Sequence, residues 1–251
     1  MGKLEVHFID VGQGDATLLQ GPDFTILVDA GRHDRSDVVP YLKSVNVTSI
    51  DLLIGTHPHA DHIGQFPQVI EAFSVGEVWL SGDITTTQTF ERAIDAIEAS
   101  DAGYHEPRAG ETFDFGSAIV ELINPDHLTG ELHEDSIGVR VIYGDFTVLF
   151  TGDAEAETEM AILARGHDVK ATILQLGHHG SSTSSSVEFL ESVDPEVAVY
   201  SAAEDNSYGH PHEVVLERLR HMGIQIYGTA VNGTIIVTTD GQTYEVRTER
   251  D

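Results

Sequence analysis

The sequence predicts a single α/β domain of four layers, in which two β-sheets pack face to face and helices cover both outer sides. Each half of the chain opens with several strand patterns, and helices alternate with strands after them. The 251 residues can bury one sizeable core, and no linker rich in Pro, Gly or Ser separates the halves. We therefore expect one domain over residues 1–251, although a doubly wound single sheet would satisfy the same alternation.

The first half begins with three short strand patterns, which are separated by turn sequences at 12–15 and 21–23. After the apolar strand pattern 51–56, the helical spacing of Ile63, Phe66 and Val69 predicts a helix. The elements predicted in this half are strands 4–10, 16–20, 24–30, 51–56 and 75–80 and helices 37–45, 61–73 and 87–99.

The second half repeats this alternation of strands and helices. Pro211 is suited to the first position of a helix, and Gly223 is suited to ending it. The elements predicted in this half are strands 118–123, 136–143, 145–151, 171–176, 196–201, 225–229, 233–238 and 242–247 and helices 154–164, 184–193 and 211–222.

The charge balance is strongly acidic, with 42 Asp and Glu against 13 Lys and Arg and a formal net charge of -29. Such a chain repels itself in dilute buffer, whereas molar salt shortens the screening length to about 3 Å. The composition resembles that of halophilic archaeal proteins; a cation-binding surface or a surface for a basic partner is the alternative. The acidity also weakens the case for a nucleic-acid partner, because non-specific binding depends on Lys and Arg that neutralise phosphates. At molar salt this electrostatic attraction is small for any protein, so the argument weighs less there.

The sequence contains no apolar run near the ~20 residues that a membrane helix needs, and the N-terminus lacks the apolar core of a signal peptide. The chain contains no cysteine, which excludes disulfides and thiolate metal ligands. We therefore expect a soluble cytoplasmic protein without a membrane segment.

A cluster of metal-ligand side chains follows the apolar run 52–54. His57, His59, Asp61 and His62 place three imidazoles and a carboxylate within six residues. A buried strand that ends in such donors delivers them to the rim of a sheet, where imidazole suits zinc and similar metals and the carboxylate can hold a second ion. The alternative is a polar loop with unrelated histidines.

The cluster resembles the HxHxDH signature of the metallo-β-lactamase superfamily. Thr151-Gly152-Asp153 and the segment 176–181 each follow an apolar strand and resemble two later segments of that superfamily. The resemblance spans nearly the whole chain and implies the αββα fold. It also implies that His57 and His59 bind one metal, that Asp61 and His62 bind the other, and that Asp153 bridges them.

Within the superfamily, the segments 10–16, 178–181 and 208–212 resemble the metallo-hydrolase domain of ComEC-type DNA-uptake proteins. The chain departs from that group at His59, where most of its members carry aspartate. The membrane segments of ComEC proteins are absent from this sequence, so DNA uptake does not follow from the resemblance.

Further site residues follow from the same resemblance. Of the adjacent His178 and His179, we expect His178 to bind metal and His179 either to contact the substrate or to support a metal ligand. His133 lies where the first metal takes a third histidine, but its spacing is one residue short, so an exposed loop histidine is the alternative. His210 precedes a predicted helix whose amides favour anions; it either donates a proton or binds phosphate, or only shapes the turn. Asp61, His179 and His210 are the candidate catalytic residues.

These residues predict a hydrolase with two divalent metal ions, Zn²⁺ foremost and Mn²⁺ as the alternative, which attacks its substrate with a metal-bridging hydroxide. A phosphoester substrate, with nucleic acid as a possible case, is favoured by the ComEC resemblance, which makes the protein a phosphodiesterase or nuclease-like enzyme. The alternatives are hydrolysis of a carbonyl substrate (a β-lactam, lactone or thioester) and a non-catalytic metal-binding module.

Overall fold

The structure is a computed structural model that describes residues 2–251. Its strands are β1 (Leu4–Phe8), β2 (Thr17–Gln20), β3 (Thr25–Val28), β4 (Ser49–Gly55), β5 (Ser74–Leu80), β6 (Gly103–His105), β7 (Thr112–Phe115), β8 (Ala118–Asn124), β9 (Gly138–Tyr143), β10 (Phe146–Phe150), β11 (Ile173–Gln175), β12 (Val197–Tyr200), β13 (Gln225–Gly228), β14 (Ile235–Thr239) and β15 (Tyr244–Thr248). Its helices are α1 (Val38–Ser44), α2 (Phe66–Ala72), α3 (Gln88–Glu98), α4 (Ala156–Arg165), α5 (Val187–Val193), α6 (Glu213–Met222) and α7 (Thr229–Asn232).

The strands form two sheets. The first has eight strands in the order β15-β14-β1-β2-β3-β4-β5-β6, and the second has seven in the order β13-β12-β11-β10-β9-β8-β7. Strands β3 to β6 are parallel to one another, and so are β10 to β13. The remaining neighbours pair antiparallel.

The two sheets pack face to face over one apolar core. Phe8 and Leu52 of the first sheet belong to the same buried cluster as Val120 and Phe150 of the second. Burying a side chain of this size contributes about 1.5–3 kcal/mol, so the layer between the sheets supplies much of the stability.

Helices cover the outer face of each sheet. Leu42 of α1 and Phe66 of α2 pack with Leu53 on the outside of the first sheet. Phe189 of α5 and Leu219 of α6 belong to the corresponding cluster on the second sheet. The predicted four-layer arrangement is therefore confirmed, and the doubly wound single sheet is not observed.

The parallel strands of both sheets direct their carboxyl ends to one rim. There β3 is followed by Asp29, β4 by Thr56 and His57, and β10 by Thr151-Gly152-Asp153. The two sheets are joined at this point, where Ile137 N–H donates to the Thr56 carbonyl over 2.7 Å. The loops that carry the predicted ligands therefore share the rim where α/β sheets usually bind ligands.

The predicted helix 61–73 is shorter in the structure, because α2 begins only at Phe66. The preceding residues form a tight turn in which the N–H groups of His62 and Ile63 donate to the His59 carbonyl. Gly64 lies in this turn so close to the neighbouring chain that a Cβ there would be 2.1 Å from His33 N. This packing holds the ligand loop in a non-helical form that apolar spacing does not reveal.

Helix α6 begins at Glu213, so the prediction that Pro211 is its first residue is wrong. His212 is the N-cap residue with extended backbone, and its N–H donates to the Gly180 carbonyl over 3.0 Å. This bond ties the start of α6 to the turn that contains His178 and His179. The short elements β6, β7 and α7 were not predicted.

Candidate metal centre

The first ligand group lies beyond β4 and contains His57, His59, His133 and Asp153. One donor atom from each lies within 4.8 Å of the others. His57 Nε2 is 2.8 Å from His59 Nδ1, and His133 Nε2 is 3.3 Å from that same atom. Asp153 Oδ2 completes the group, 3.6 Å from His57 Nε2. His133, which the sequence left open, therefore lies with the first group.

The second group lies beside the first, and donor atoms of the buried His62, His179 and Asp153, together with one of Asp15, lie within 4.8 Å of one another. His62 Nε2 is 3.3 Å from Asp153 Oδ1, and His179 Nε2 is 3.8 Å from that oxygen. Asp61 Oδ2 lies 3.4 Å from His179 Nε2. Ligands of a tetrahedral ion with bonds of 2.0–2.1 Å are about 3.4 Å apart, so these separations suit a shared cation.

The two groups share Asp153. Its Oδ1 faces His62 and His179, whereas its Oδ2 faces His57 and His133. A carboxylate placed in this way can bind one cation with each oxygen.

Several donor atoms of the second group are buried and have no hydrogen-bond partner among the described residues. They are His62 Nε2, Asp153 Oδ1 and His179 Nε2. Leaving a buried polar atom unpaired costs about 1–3 kcal/mol, and here three such atoms face one point. The donor set therefore fits a metal ion, since coordination would satisfy all three at once.

Hydrogen bonds on the other ring nitrogens orient these imidazoles. His62 Nδ1 lies 2.7 Å from Asp29 Oδ2, and His179 Nδ1 lies 3.0 Å from the Ser201 carbonyl. A carbonyl can only accept, so His179 Nδ1–H donates to Ser201, and the Nε2 lone pair is available for a metal. The same arrangement at His62 fixes Nε2 toward Asp153.

Asp15 also lies against the second group, but behind it. Its Oδ2 is 3.6 Å from His179 Nδ1 and 3.9 Å from His62 Nδ1, on the opposite ring edges from Asp153. We therefore place Asp15 as a partner of the ligand histidines and Asp61 as the carboxylate on the metal side. Asp10 lies outside the centre, because it accepts from Gly12 N–H and pairs with Arg250 at 2.8 Å.

His178 and His179 point in different directions because of an unusual turn. Both have left-handed backbone, with φ of 50° and 56°, which costs a non-glycine residue about 1–3 kcal/mol. The turn buries His179 in the second group, whereas His178 is partly exposed, with Nδ1 3.4 Å from Glu155 Oε1 and Nε2 3.8 Å from Asp153 Oδ2. The structure thus places His179 rather than His178 in the second group.

Burial and the neighbouring carboxylates set the charges in the centre. Burial alone lowers the pKa of His179, but Asp153 and Asp15 outweigh it and raise that pKa to about 9. Burial likewise opposes protonation of His62, yet Asp153 and Asp29 raise its pKa well above the usual value. Burial would raise the pKa of Asp153, but the surrounding histidines hold it well below its ordinary range. The centre therefore stabilises positive charge, which divalent cations supply in exchange for protons.

Comparison with known proteins agrees with this geometry. A family model described as the metallo-beta-lactamase superfamily matches residues 9–204. The chain belongs to the metallo-beta-lactamase superfamily. No helix within residues 2–251 of this superfamily member is long and apolar enough to cross a membrane.

Its curated relatives include competence proteins. This metallo-beta-lactamase superfamily member is 27% identical to ComE operon protein 3 of Bacillus subtilis, over 92% of the chain and 32% of that protein. It is 30% identical to Competence protein ComA of Neisseria gonorrhoeae, over 90% of the chain and 31% of that protein. The chain thus spans about a third of these relatives. The predicted ComEC-type resemblance is confirmed.

Solved structures show the same fold. The metallo-beta-lactamase fold protein YhfI from Bacillus subtilis aligns with a TM-score of 0.64 and 12% identity, over 95% of this chain and 100% of that one. Igni18 from Ignicoccus hospitalis, described as a metallo hydrolase, aligns with a TM-score of 0.61 and 16% identity, over 92% and 98% of the two chains. At this identity the likeness extends to the αββα fold alone.

The metal centre of this superfamily member opens into a cavity of about 350 Å³, which His210 and Tyr208 help to line. His210 is buried, and its Nδ1 has no hydrogen-bond partner among the described residues. Burial, together with the nearby His179 and His178, lowers the pKa of His210 to about 4. At neutral pH it therefore faces the cavity as a neutral imidazole.

A loop residue that the sequence did not single out positions His210. Asn206 Oδ1 accepts from His210 N–H at 2.9 Å and from Tyr208 N–H at 3.1 Å. Its Nδ2 donates to the Ala203 carbonyl over 2.8 Å. Asn206 precedes the segment 208–212 by two residues and was not part of any motif quoted from the sequence, so only the three-dimensional structure indicates this role.

Proposed function

We propose that the chain is a dinuclear metal-dependent phosphodiesterase. The observation that carries the proposal is that the two carboxylate oxygens of Asp153 face two separate sets of metal-ligand side chains. His57, His59, His133 and Asp153 would hold the first ion, and Asp61, His62, His179 and Asp153 the second. When bound, two such ions activate water as a nucleophile and stabilise charge on a phosphoryl group.

The protein's own residues prepare this centre. Asp29 and the Ser201 carbonyl keep the Nδ1 protons of His62 and His179 on the far side of each ring. The left-handed turn at 178–179 leaves His178 at the cavity wall, where it can contact a bound substrate. In this proposal His179 takes the ligand position that the sequence suggested for His178, and His178 takes the substrate-contact role.

His210 is proposed to bind the phosphoester rather than to act as a strong acid. Its low pKa leaves it neutral near pH 7, and a neutral imidazole can donate one hydrogen bond and accept another. Asn206 fixes the backbone of His210, so the ring is held beside the metal-binding groups. This arrangement would orient a phosphoryl oxygen or a leaving group.

The preference for a phosphoester rests on the relatives. One further relative, 30% identical over 98% of the chain and 30% of its own length, is Recombination protein 2 of Haemophilus influenzae. Recombination is a reaction of DNA, in which phosphodiesters are the bonds that change. The centre itself would also activate water against a carbonyl substrate, so the substrate class is decided by experiment.

The test compares substrates on one preparation. The protein is purified in molar KCl, stripped with EDTA, and reloaded with Zn²⁺ or Mn²⁺. Turnover of bis-p-nitrophenyl phosphate is measured beside turnover of a chromogenic β-lactam, with Asp153→Asn as the inactive variant and Asp145→Asn, an exposed carboxylate, as the control. Metal-dependent turnover that favours the phosphodiester is expected. Preferential turnover of the lactam, or bound ions without turnover of either substrate, would contradict the proposal.

A further inference from the structure

A second cavity, of about 330 Å³, adjoins the metal centre. It shares two wall residues, Gln13 and Tyr208, with the cavity of the metal centre. Gln13 is buried, and its side-chain oxygen accepts a hydrogen bond from Ala203 N–H at 3.3 Å. This bond connects the loop that contains Gln13 to the loop that contains Ala203, so the shared wall is held from both sides. A ligand longer than one phosphoryl group can therefore extend from the metal centre past Tyr208 into the second cavity.

Tyr208 offers an aromatic face at this boundary. Its ring stacks on His210, with centroids 5.6 Å apart and planes 23° apart, and yet 63% of the residue is exposed. The bond from Tyr208 N–H to Asn206 fixes the backbone beneath the ring. One face is thus supported by His210 while the other remains open. An open, supported aromatic face is the platform on which unpaired nucleobases stack.

Arg32 and Arg35 line the same cavity, together with the carboxylates of Asp34 and Asp205. Arg35 rests against the loop 10–15, where a Cβ on Gly12 would lie 3.0 Å from Arg35 Nη1. The backbone of Arg32 packs on Gly64, which lies in the ligand turn. The Arg35 side chain and the Arg32 backbone are therefore held beside the metal centre.

Each arginine forms one ion pair, Arg32 with Asp34 and Arg35 with Asp37, and each keeps N–H donors available. Arg32 uses Nε and Nη2 to bind Asp34, at 2.9 and 2.8 Å. A guanidinium has five N–H groups, so this bidentate pair occupies two and leaves the others for a further acceptor. Asp34 therefore orients the Arg32 guanidinium group and leaves its remaining N–H groups available. A phosphate is the acceptor that matches this planar set of donors.

We propose that Tyr208, Arg32 and Arg35 form a nucleotide subsite beside the metal centre, in which a base stacks on Tyr208 and the adjoining phosphate pairs with the arginines. This inference rests on the proposed phosphodiesterase function and names its substrate as single-stranded nucleic acid. A single strand is required because a base within a duplex has no free face for Tyr208.

The test compares a short single-stranded oligothymidylate with bis-p-nitrophenyl phosphate, which has neither a nucleobase nor a second phosphate. Tyr208→Ala is expected to lower the ratio of kcat/KM for the oligonucleotide over that for the aryl ester about tenfold, the size of one lost base stack. Tyr208→Trp should keep the ratio near that of the native chain. Tyr104→Ala, which removes another exposed tyrosine, is the matched control.

An abasic oligonucleotide of equal length separates stacking from phosphate binding. On this substrate Tyr208→Ala should lower kcat/KM less than it does on the oligothymidylate, whereas the double variant Arg32→Ala, Arg35→Ala should weaken turnover of both. Arg220→Ala is the control for the arginines, because Arg220 forms an exposed ion pair with Glu213 on α6. A Tyr208→Ala variant that leaves the ratio unchanged, or that slows both substrates equally, would overturn the inference.

Failure of the phosphodiesterase proposal can be told apart from failure of the subsite. If the native chain hydrolyses neither ester, the phosphodiesterase proposal fails, and the subsite is judged by fluorescence anisotropy of the labelled oligonucleotide on EDTA-treated protein. Weaker binding by Tyr208→Ala than by Tyr104→Ala then supports the subsite. Equal dissociation constants for the two variants overturn it.

Discussion

Asp29 Oδ2 lies 2.7 Å from His62 Nδ1, and both side chains are buried. The other oxygen of Asp29 accepts from Thr56 N–H at 2.8 Å. Asp29 thus joins the end of β3 to the residue that follows β4 and aims the Nε2 atom of His62 at Asp153. The orientation of one ligand therefore depends on a carboxylate about thirty residues earlier in the chain.

Replacing Asp29 with alanine should weaken binding of the second metal ion about 10- to 100-fold, as is typical when a histidine ligand loses its carboxylate partner. Isothermal titration of EDTA-treated protein with Zn²⁺ measures this. Asp23→Ala is the control, because Asp23 accepts hydrogen bonds from Ser117 without contacting the centre. Equal Zn²⁺ affinity for the Asp29 and Asp23 variants would show that this orientation is unimportant.

His179→Ala should reduce the bound metal from two ions per chain to one, because His179 Nε2 faces Asp153 Oδ1 and Asp61 Oδ2. His178→Ala should retain two, since this side chain is partly exposed and its Nδ1 faces Glu155, 3.4 Å away, rather than the second group. Mass-spectrometric metal analysis after desalting distinguishes the variants, with His221→Ala on the surface of α6 as the control. If His178→Ala loses an ion and His179→Ala does not, the assignment of the two residues is reversed.

A buried histidine outside the metal centre should make stability depend on pH. Burial lowers the pKa of His7 to about 4, although the nearby Glu5 opposes this and Arg247 adds slightly to it. Its Nδ1 is 2.8 Å from the Tyr41 hydroxyl. The unfolded chain takes up a proton near pH 6.5, whereas the folded chain does so only near pH 4.

The free energy of unfolding should therefore fall by on the order of 3 kcal/mol because of His7 as the pH falls from about 6.5 to about 4. Above pH 6.5, His7 should make no contribution to the pH dependence of stability. Urea unfolding of the native chain and of His7→Gln across these pH values gives the difference. His221→Gln, at an exposed position, is the control. A His7→Gln variant whose free energy of unfolding falls as steeply as that of the native chain would contradict this account.

The net charge of -29 predicts that salt stabilises the fold. Raising KCl from about 0.1 M to molar concentrations shortens the screening length from about 10 Å to about 3 Å and relieves the repulsion among carboxylates. The melting temperature should rise steeply with KCl and much less with sucrose of equal osmolality. A melting temperature that is independent of KCl, or that rises equally in sucrose, would argue against adaptation to high salt.

The four-layer architecture and the position of the metal centre were predictable where local pattern and tertiary structure agree. The apolar β4 leads directly into His57, and β10 leads directly into Asp153, so strand patterns alone placed these donors at strand ends. His133 was left open because its spacing is one residue short of the superfamily pattern. Only its 3.3 Å approach to His59 places it with the first group.

The choice between His178 and His179 could not be made from the sequence, because two consecutive left-handed residues determine which ring is buried. The sequence did not predict the adjoining nucleotide subsite either. Arg32 and Tyr208 are far apart in the chain, and they line one cavity only after the loops on both sheets have packed. Such sites depend on long-range contacts, which local patterns do not report.

The central claim is that each carboxylate oxygen of Asp153 serves a different donor group, so that the chain binds two metal ions. The number of metal ions bound per chain tests this claim most directly. The native chain and Asp153→Ala are loaded with Zn²⁺ in molar KCl, desalted, and analysed by inductively coupled plasma mass spectrometry, with Asp145→Ala as the control. The account predicts two ions per chain in the native protein and the control, and fewer than two in Asp153→Ala. One ion or none in the native protein, or two ions in Asp153→Ala, would contradict it.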